Sequence, residues 1–373
     1  MLGKIVHVTT AHPRTDTRVY LKEVDTLGKF FPGQVVLIVA DGLGDFVDSE
    51  NRVSIRDIGC EKRRITHILL GIIRAFRLIR SIRPKIVHFH DPELLPLGIL
   101  IKIFRIKVVY DVHEDLGSLP YSRDWIPKPI KKILSTSLSL FERFGTIFFD
   151  QIVVATPKIA SLFSAKKVIT VQNYPIESEL METAPVPYRE RENSFAFVGG
   201  VSRIRSAIEM VEAIGLIDGV EVRLELAGGM ESDELVSKLR SLGSWNLVTE
   251  YGHVSREQMA NILGRTRAGL VLYHPLPNHI NAQPNKIFEY MSAGLPVIGS
   301  DFPLWRSIID GSSCGLLVDP MEPSAIAKAM TWILEHPEES EQMGRNGYDA
   351  VRNKYNWREE SKKLIACYDQ LLS

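Results

Sequence analysis

Short, uninterrupted apolar runs alternate with longer amphipathic segments along almost the whole chain. Lys4–Val8, Gln34–Val39, Lys85–Phe89, Lys107–Tyr110, Gln151–Val154 and Val168–Val171 read as strands. Helical periodicity fills several of the gaps, at Thr17–Leu27, Arg63–Ile82, Leu94–Phe104, Ile130–Gly145 and Lys158–Phe163. Strands that are apolar throughout are buried on both faces, so the pattern predicts a parallel sheet covered by helices.

The alternation pauses at Asn173–Ser194, a polar stretch broken by Pro185 and Pro187, which reads as a connection between domains. It resumes with Phe195–Val198, Val222–Leu226, Leu247–Glu250, Gly269–Tyr273, Pro296–Gly299 and Gly315–Val318 as strands. The rest is helical, ending in Arg358–Leu372. A length of 373 residues also suits two domains of about 100–200 residues each. The expectation is an α/β chain of two Rossmann-like domains facing an interdomain cleft. Residues 1–175 form the N-terminal Rossmann-like domain, 176–356 the C-terminal one, and 357–373 a closing helix. Ligands of open parallel sheets bind at the carboxyl ends of strands, so polar residues there are the candidates.

Lys+Arg and Asp+Glu both number 45, and the absence of a basic excess argues against a general nucleic-acid binder. Cys60, Cys314 and Cys367 are widely spaced and form no Cys-x-x-Cys pair, which fits a reducing cytosol. The start, MLGKIVHVTT, reads as a strand and not as a signal peptide, and no long charge-free apolar run predicts a membrane span.

The segment Asn281–Ser300 is the most informative. Pro284 suits a helix entrance and Gly294-Leu295-Pro296 a helix stop. Asn281, Gln283 and Asn285 surround that entrance, where free backbone N–H groups and the dipole favour an anion. Lys286 adds a full positive charge, and Glu289, one turn on, can accept two hydroxyl hydrogen bonds. The same residues equally describe an ordinary helix with an exposed glutamate near its start.

The run PNKIFEYMSAGLPVIGS (Pro284–Ser300) resembles the donor-site motif of family-4 glycosyltransferases, which have the two-domain GT-B fold. The resemblance assigns Glu289 to the ribose hydroxyls of a nucleotide-sugar, with UDP the commoner nucleotide. The motif usually carries an earlier glutamate beside the donor sugar; Asn281 stands there, which leaves the sugar open. In FAFVGGVSRIRS (Phe195–Ser206), Gly199 and Gly200 permit a tight turn, and Arg203 and Arg205 follow at a helix entrance. Arg205 aligns with the family's lysine. Gly200 takes the place of its arginine, with Arg203 as substitute. Two such cations beside a diphosphate would stabilise the charge of the leaving group. Gly228, in LELAGG, and His253, in YGHVS, resemble the family's segments near the nucleotide.

On the N-terminal side, Asp16 suits a helix cap, and the resemblance puts Arg14 and Arg18 near the diphosphate and acceptor. His113 is assigned to the donor sugar, with Glu114 orienting it or the acceptor. Arg205, Lys286 and His113 are thus the candidate catalytic residues. The resemblance further implies a retaining, metal-independent transfer to a saccharide or lipid-linked saccharide in surface polysaccharide biosynthesis, with no cofactor beyond the nucleotide-sugar. Basic and apolar residues mix in Glu61–Lys85, and Lys128, Lys131 and Lys132 precede another apolar helix. This suggests peripheral contact with the inner face of the plasma membrane, although a core helix with a basic rim has the same pattern. Two rivals stand beside this reading. His88 and His90, on one face of a strand, form a His-x-His pair suited to a metal-dependent hydrolase. A non-hydrolysing nucleotide-sugar epimerase shares a similar fold.

Overall fold

The computed structural model describes residues 3–50, 52–122, 126–176 and 186–373. It divides into two compact units, residues 1–173 with 357–373, and residues 174–356. The divide falls after Asn173, slightly ahead of the boundary at 175; part of the expected connection, residues 177–185, lies outside the described residues.

Among the described residues, the first unit holds an eight-stranded sheet in the order β3-β4-β2-β1-β5-β6-β7-β8. The strands are β1 (Ile5–Val8), β2 (Val35–Val39), β3 (Phe46–Asp48), β4 (Val53–Asp57), β5 (Ile86–Phe89), β6 (Lys107–Val112), β7 (Gln151–Val154) and β8 (Val168–Thr170). All neighbours pair in parallel except the β3–β4 hairpin. The alternating Val53-Ser54-Ile55-Arg56 is too short to stand out in the sequence, and so the edge hairpin was not expected. Val6 and Val8 on β1, Val36 on β2 and Val87 on β5 join one apolar core. The odd-numbered His7 lies opposite His88 in the register and faces the other way, against the C-terminal helix.

That helix, Trp357–Leu372, is an integral part of the first unit. Trp357 Nε1 donates to Thr26 Oγ1 (2.8 Å), Glu360 accepts from the Gln172 amide (3.0 Å), and Leu364 and Tyr368 are fully buried.

Among the described residues, the second unit holds six parallel strands, β9 (Ser194–Val198), β10 (Arg223–Ala227), β11 (Val248–Gly252), β12 (Ala268–Val271), β13 (Val297–Ser300) and β14 (Gly315–Val318). Their order is β11-β10-β9-β12-β13-β14. Phe195 and Phe197 point into one core layer and Ala196 and Val198 into the other, as a doubly covered sheet requires. In each unit the strand order reverses beside the first strand, between β1 and β5 and between β9 and β12. Within each unit, the loops at that switch point border a crevice of that unit's own. Among the described residues, no helix is long and apolar enough to cross a membrane.

Candidate functional site

In the second unit, the loops after β9 and β10 are joined backbone to backbone. Gly199 N donates to Ala227 O (2.8 Å) and Val201 N to Gly229 O (2.9 Å). Glycine is required for this approach. A Cβ on Gly228 would lie 1.8 Å from the Gly199 carbonyl oxygen, and both residues have positive φ, +155° and +133°. His253 stacks over the same backbone, its Nε2 2.8 Å from where a Gly229 Cβ would stand.

Arg205 ends a short turn and folds back over the glycines, its Nη1 donating to Gly200 O (3.0 Å). The Asn285–Ser292 helix approaches from the other side. It is fixed by Ile287, Phe288, Tyr290 and Met291, all fully buried, and by the Val198 amide donating to the Tyr290 hydroxyl (2.8 Å). Gly269 on β12 makes room for that tyrosine ring, which would lie 2.3 Å from a Cβ there. With that face in the core, Lys286 and Glu289 stay on the opposite face, where Lys286 Nζ donates to Glu289 Oε2 (2.5 Å). A point above Gly199, at its absent Cβ, lies 3.6 Å from Lys286 Cε and 3.7 Å from Arg205 Nη1. Two cations therefore converge on the glycine turn, with the Glu289 carboxylate beside one of them.

Pro284 sits at the cap position of this helix, which has no side-chain cap, so its first amides are open to an anion. Asn285 is exposed and Gln283 half-buried at that entrance. Asn281 ends the preceding Pro277–Ile280 turn, its Nδ2 donating to Pro277 O (3.1 Å), and Trp305 Nε1 fixes the segment through Ala282 O (2.8 Å). Arg203 is exposed, and its backbone amide donates to Glu231 Oε2 (3.1 Å).

An aromatic group beside this site was not singled out from the sequence. Tyr273 packs against His279 (5.1 Å between centroids) and Trp305 (5.4 Å), with the Arg205 guanidinium 5.5 Å over its ring. Burial lowers the pKa of His279, which holds it neutral. The polar residues of YHPLPNH, directly after a strand, were the available signal.

In the first unit, Asp91 after β5 ties down the loop after β1. Its Oδ2 accepts from Thr10 N (2.5 Å) and Thr9 Oγ1 (3.0 Å). His12 stands over this loop, its Nδ1 3.2 Å from Asp16 Oδ2, which raises its pKa. The His113 ring lies 5.1 Å from His12, half-buried, with Nε2 2.6 Å from Asp111 Oδ2. Glu114 is exposed next to it. Asp16 caps the following helix through Arg18 N (2.9 Å) and Val19 N (2.8 Å).

Three expectations need correction here. Arg18 does not face an acceptor. It is only 4% exposed and grips Asp111 with two nitrogens (3.0 and 2.7 Å) and Val171 O with the third (2.9 Å). Burial opposes the charges of this pair, but each holds the other ionised, with Asp111 well below the usual carboxylate range. Arg14 is committed to Asp41 by two 2.7 Å bonds and to Gly44 O (2.8 Å), a brace for the loop after β2. His88 and His90 turn inward. With His7 and Glu23 they bring donor atoms within 4.8 Å of one another, yet all four side chains are sealed from solvent. His7 Nδ1 meets His90 Nε2, His88 Nδ1 meets the Tyr368 hydroxyl and His90 Nδ1 meets Asp111, and burial lowers the pKa of all three imidazoles. A group with no access for substrate is not a hydrolytic centre.

Residues 182–350 match the family described as "Glycosyl transferases group 1", a span that includes the glycine turn, Arg205, Lys286 and Glu289. A D-rhamnosyltransferase, WbpZ of Pseudomonas aeruginosa, is 28% identical over 165 residues, 43% of this chain and 41% of that protein. This match therefore spans less than half the length of the curated relative. Sucrose-phosphate synthase from Thermosynechococcus elongatus superimposes with a TM-score of 0.77 over 99% of both chains at 16% identity. Anabaena Alr3699/HepE in complex with UDP does so with a TM-score of 0.76, over 98% of this chain and 100% of that one, at 12% identity. The chain has the GT-B fold. The match to the group 1 glycosyl transferases lies in its second unit.

Proposed function

We propose that the protein is a retaining, metal-independent glycosyltransferase of family 4. It moves a sugar from a nucleoside-diphosphate sugar, with UDP the preferred nucleotide, to a saccharide or lipid-linked saccharide in surface polysaccharide biosynthesis. The observation that carries this reading is the convergence of Arg205 and Lys286 on the Gly199-Gly200 turn beside Glu289. The UDP and UDP-glucose complexes of the Anabaena neighbour and the sugar-transferring relative support the choice of donor class.

In this reading the diphosphate lies against the glycine turn and the open amides at Asn285 and Lys286, with Arg205 and Lys286 as counter-charges. Glu289 leaves Lys286 to accept the ribose hydroxyls. Gly228 and His253 flank the nucleotide, with Arg203 reaching the phosphates from the surface. Asn281 and Gln283 meet the sugar as neutral hydrogen-bonding groups. His113 offers an imidazole to a sugar hydroxyl, and Glu114 an exposed carboxylate to the acceptor. During transfer the bond from the anomeric carbon to the diphosphate breaks and the bond to the acceptor oxygen forms. The acceptor proton passes to the departing diphosphate on the same face. Charge grows on that diphosphate, so preorganised cations lower the barrier. A lipid-linked acceptor would bring the protein to the inner face of the plasma membrane by peripheral contact.

The test is a thermal-shift screen of nucleoside diphosphates, followed by nucleotide release from the matching sugar donors. UDP should raise the melting temperature and a UDP-sugar should release UDP in the presence of chelator. A chain that binds no nucleoside diphosphate would overturn the proposal.

A further inference from the structure

Three neighbouring helices of the first unit carry an outward surface that their own packing does not account for. Helix Leu95–Lys102 packs between Arg64–Ile82 and Lys128–Thr146. The Lys128–Thr146 helix buries Glu142, Gly145 and Thr146. Its apolar side chains lie elsewhere. Ile130, Ile133, Leu134, Phe141 and Phe144 recur at helical spacing, 38–69% exposed. Ile65, Leu69 and Ile73, four residues apart on the Arg64–Ile82 helix, are 46–75% exposed, and Ile103 between the two helices is 72% exposed. Single exposed apolar residues are ordinary, but a set concentrated on adjacent helices marks an interaction surface.

The charges say what covers it. No Asp or Glu occurs in residues 62–90, 94–110 or 126–141. The acid of the Lys128–Thr146 helix, Glu142, is buried and accepts from the Tyr110 hydroxyl (2.8 Å). Lys62, Arg63, Arg64, Arg77, Lys128 and Lys132 are exposed on the same segments. This one-signed distribution stands in a chain whose Lys+Arg and Asp+Glu are equal at 45 each, so the acids have been placed elsewhere. A second copy seated on this face by two-fold symmetry would set cations against cations. An anionic bilayer meets both features, taking the apolar side chains into its interface and the cations onto its phosphates.

We propose that the face formed by Arg64–Ile82, Leu95–Lys102 and Lys128–Thr146 docks on an anionic lipid surface. This rests on the peripheral-contact reading above and makes it specific; it does not depend on the nucleotide site. The full-length protein is floated with vesicles of phosphatidylcholine alone and of equimolar phosphatidylcholine and phosphatidylglycerol. It should float with the second and not the first, and high salt should release it. The exposed double variant I133D/F144D should lose at least about tenfold in vesicle affinity with an unchanged circular dichroism melt. K128E/K132E should lose about fivefold or more per cation on anionic vesicles. Binding by wild type that I133D/F144D retains would overturn the face while leaving peripheral contact intact. No binding by wild type would overturn both. A lipid-free dimer in sedimentation velocity that I133D/F144D abolishes would assign the face to a second copy and overturn the lipid proposal.

Discussion

The Tyr368 hydroxyl lies 2.7 Å from His88 Nδ1 and 3.1 Å from His7 Nε2, joining the last helix of the chain to the first and fifth strands. His7 Nδ1 in turn meets His90 Nε2 (3.0 Å), and His90 Nδ1 meets Asp111 (3.1 Å). One hydroxyl thus closes a buried polar chain. Tyr368→Phe keeps the ring but orphans two imidazole nitrogens, and should cost about 1–3 kcal/mol in urea unfolding. A variant as stable as wild type would mean that the histidines satisfy one another without the helix.

How far the site could be read in advance depended on how local its causes were. Glu289, Lys286 and the glycine turn stood out because a helix entrance, a helix stop and a strand-glycine turn are each written in adjacent residues. The role of Arg18 did not, because its partner Asp111 is 93 residues away and the pairing exists only once β6 lies beside β5. The spacing of His88 and His90 put them on one side of the chain, where their rings lie 4.6 Å apart, but that side is covered by Tyr368, 280 residues further on from His88. Tyr273, His279 and Trp305 form a group only after β12 and β13 align, and no periodicity connects them. Strand count suffered likewise at the short β3–β4 edge, where half-burial leaves little apolar signal.

Glu289→Ala removes a carboxylate that can accept two hydroxyl hydrogen bonds. Nucleoside diphosphate affinity should fall about 10–100-fold by isothermal titration. Because Lys286 loses its 2.5 Å partner, binding of inorganic diphosphate should hold or improve in the same variant. Equal loss of both ligands would place Glu289 outside the ribose contact.

Arg205→Ala tests the charge-stabilising role. Its guanidinium already sits over the glycine turn, held by Gly200 O at 3.0 Å, so little reorganisation accompanies charge growth on the diphosphate. The kcat should fall about 10²–10³-fold, while nucleotide affinity changes much less. A variant that loses affinity and keeps kcat would make Arg205 a simple binding contact.

Glu142 provides a pH test that is independent of the nucleotide site. Burial raises its pKa from the ordinary 4.5 to about 7, and it accepts from the Tyr110 hydroxyl at 2.8 Å. Between those two values the folded chain keeps a proton that the unfolded chain has released. The stabilisation is complete below pH 4.5 and is lost as pH rises through about 7, a swing of at most ~3 kcal/mol. Glu142→Gln keeps an acceptor for Tyr110 and cannot ionise, so its stability should decline less across that window. The comparison is urea unfolding of both proteins at several pH values, where the difference between them isolates this one group from every other titration. Parallel curves would show that Glu142 is ionised in the folded chain, and the Lys128–Thr146 helix would then carry a negative charge beside its cations.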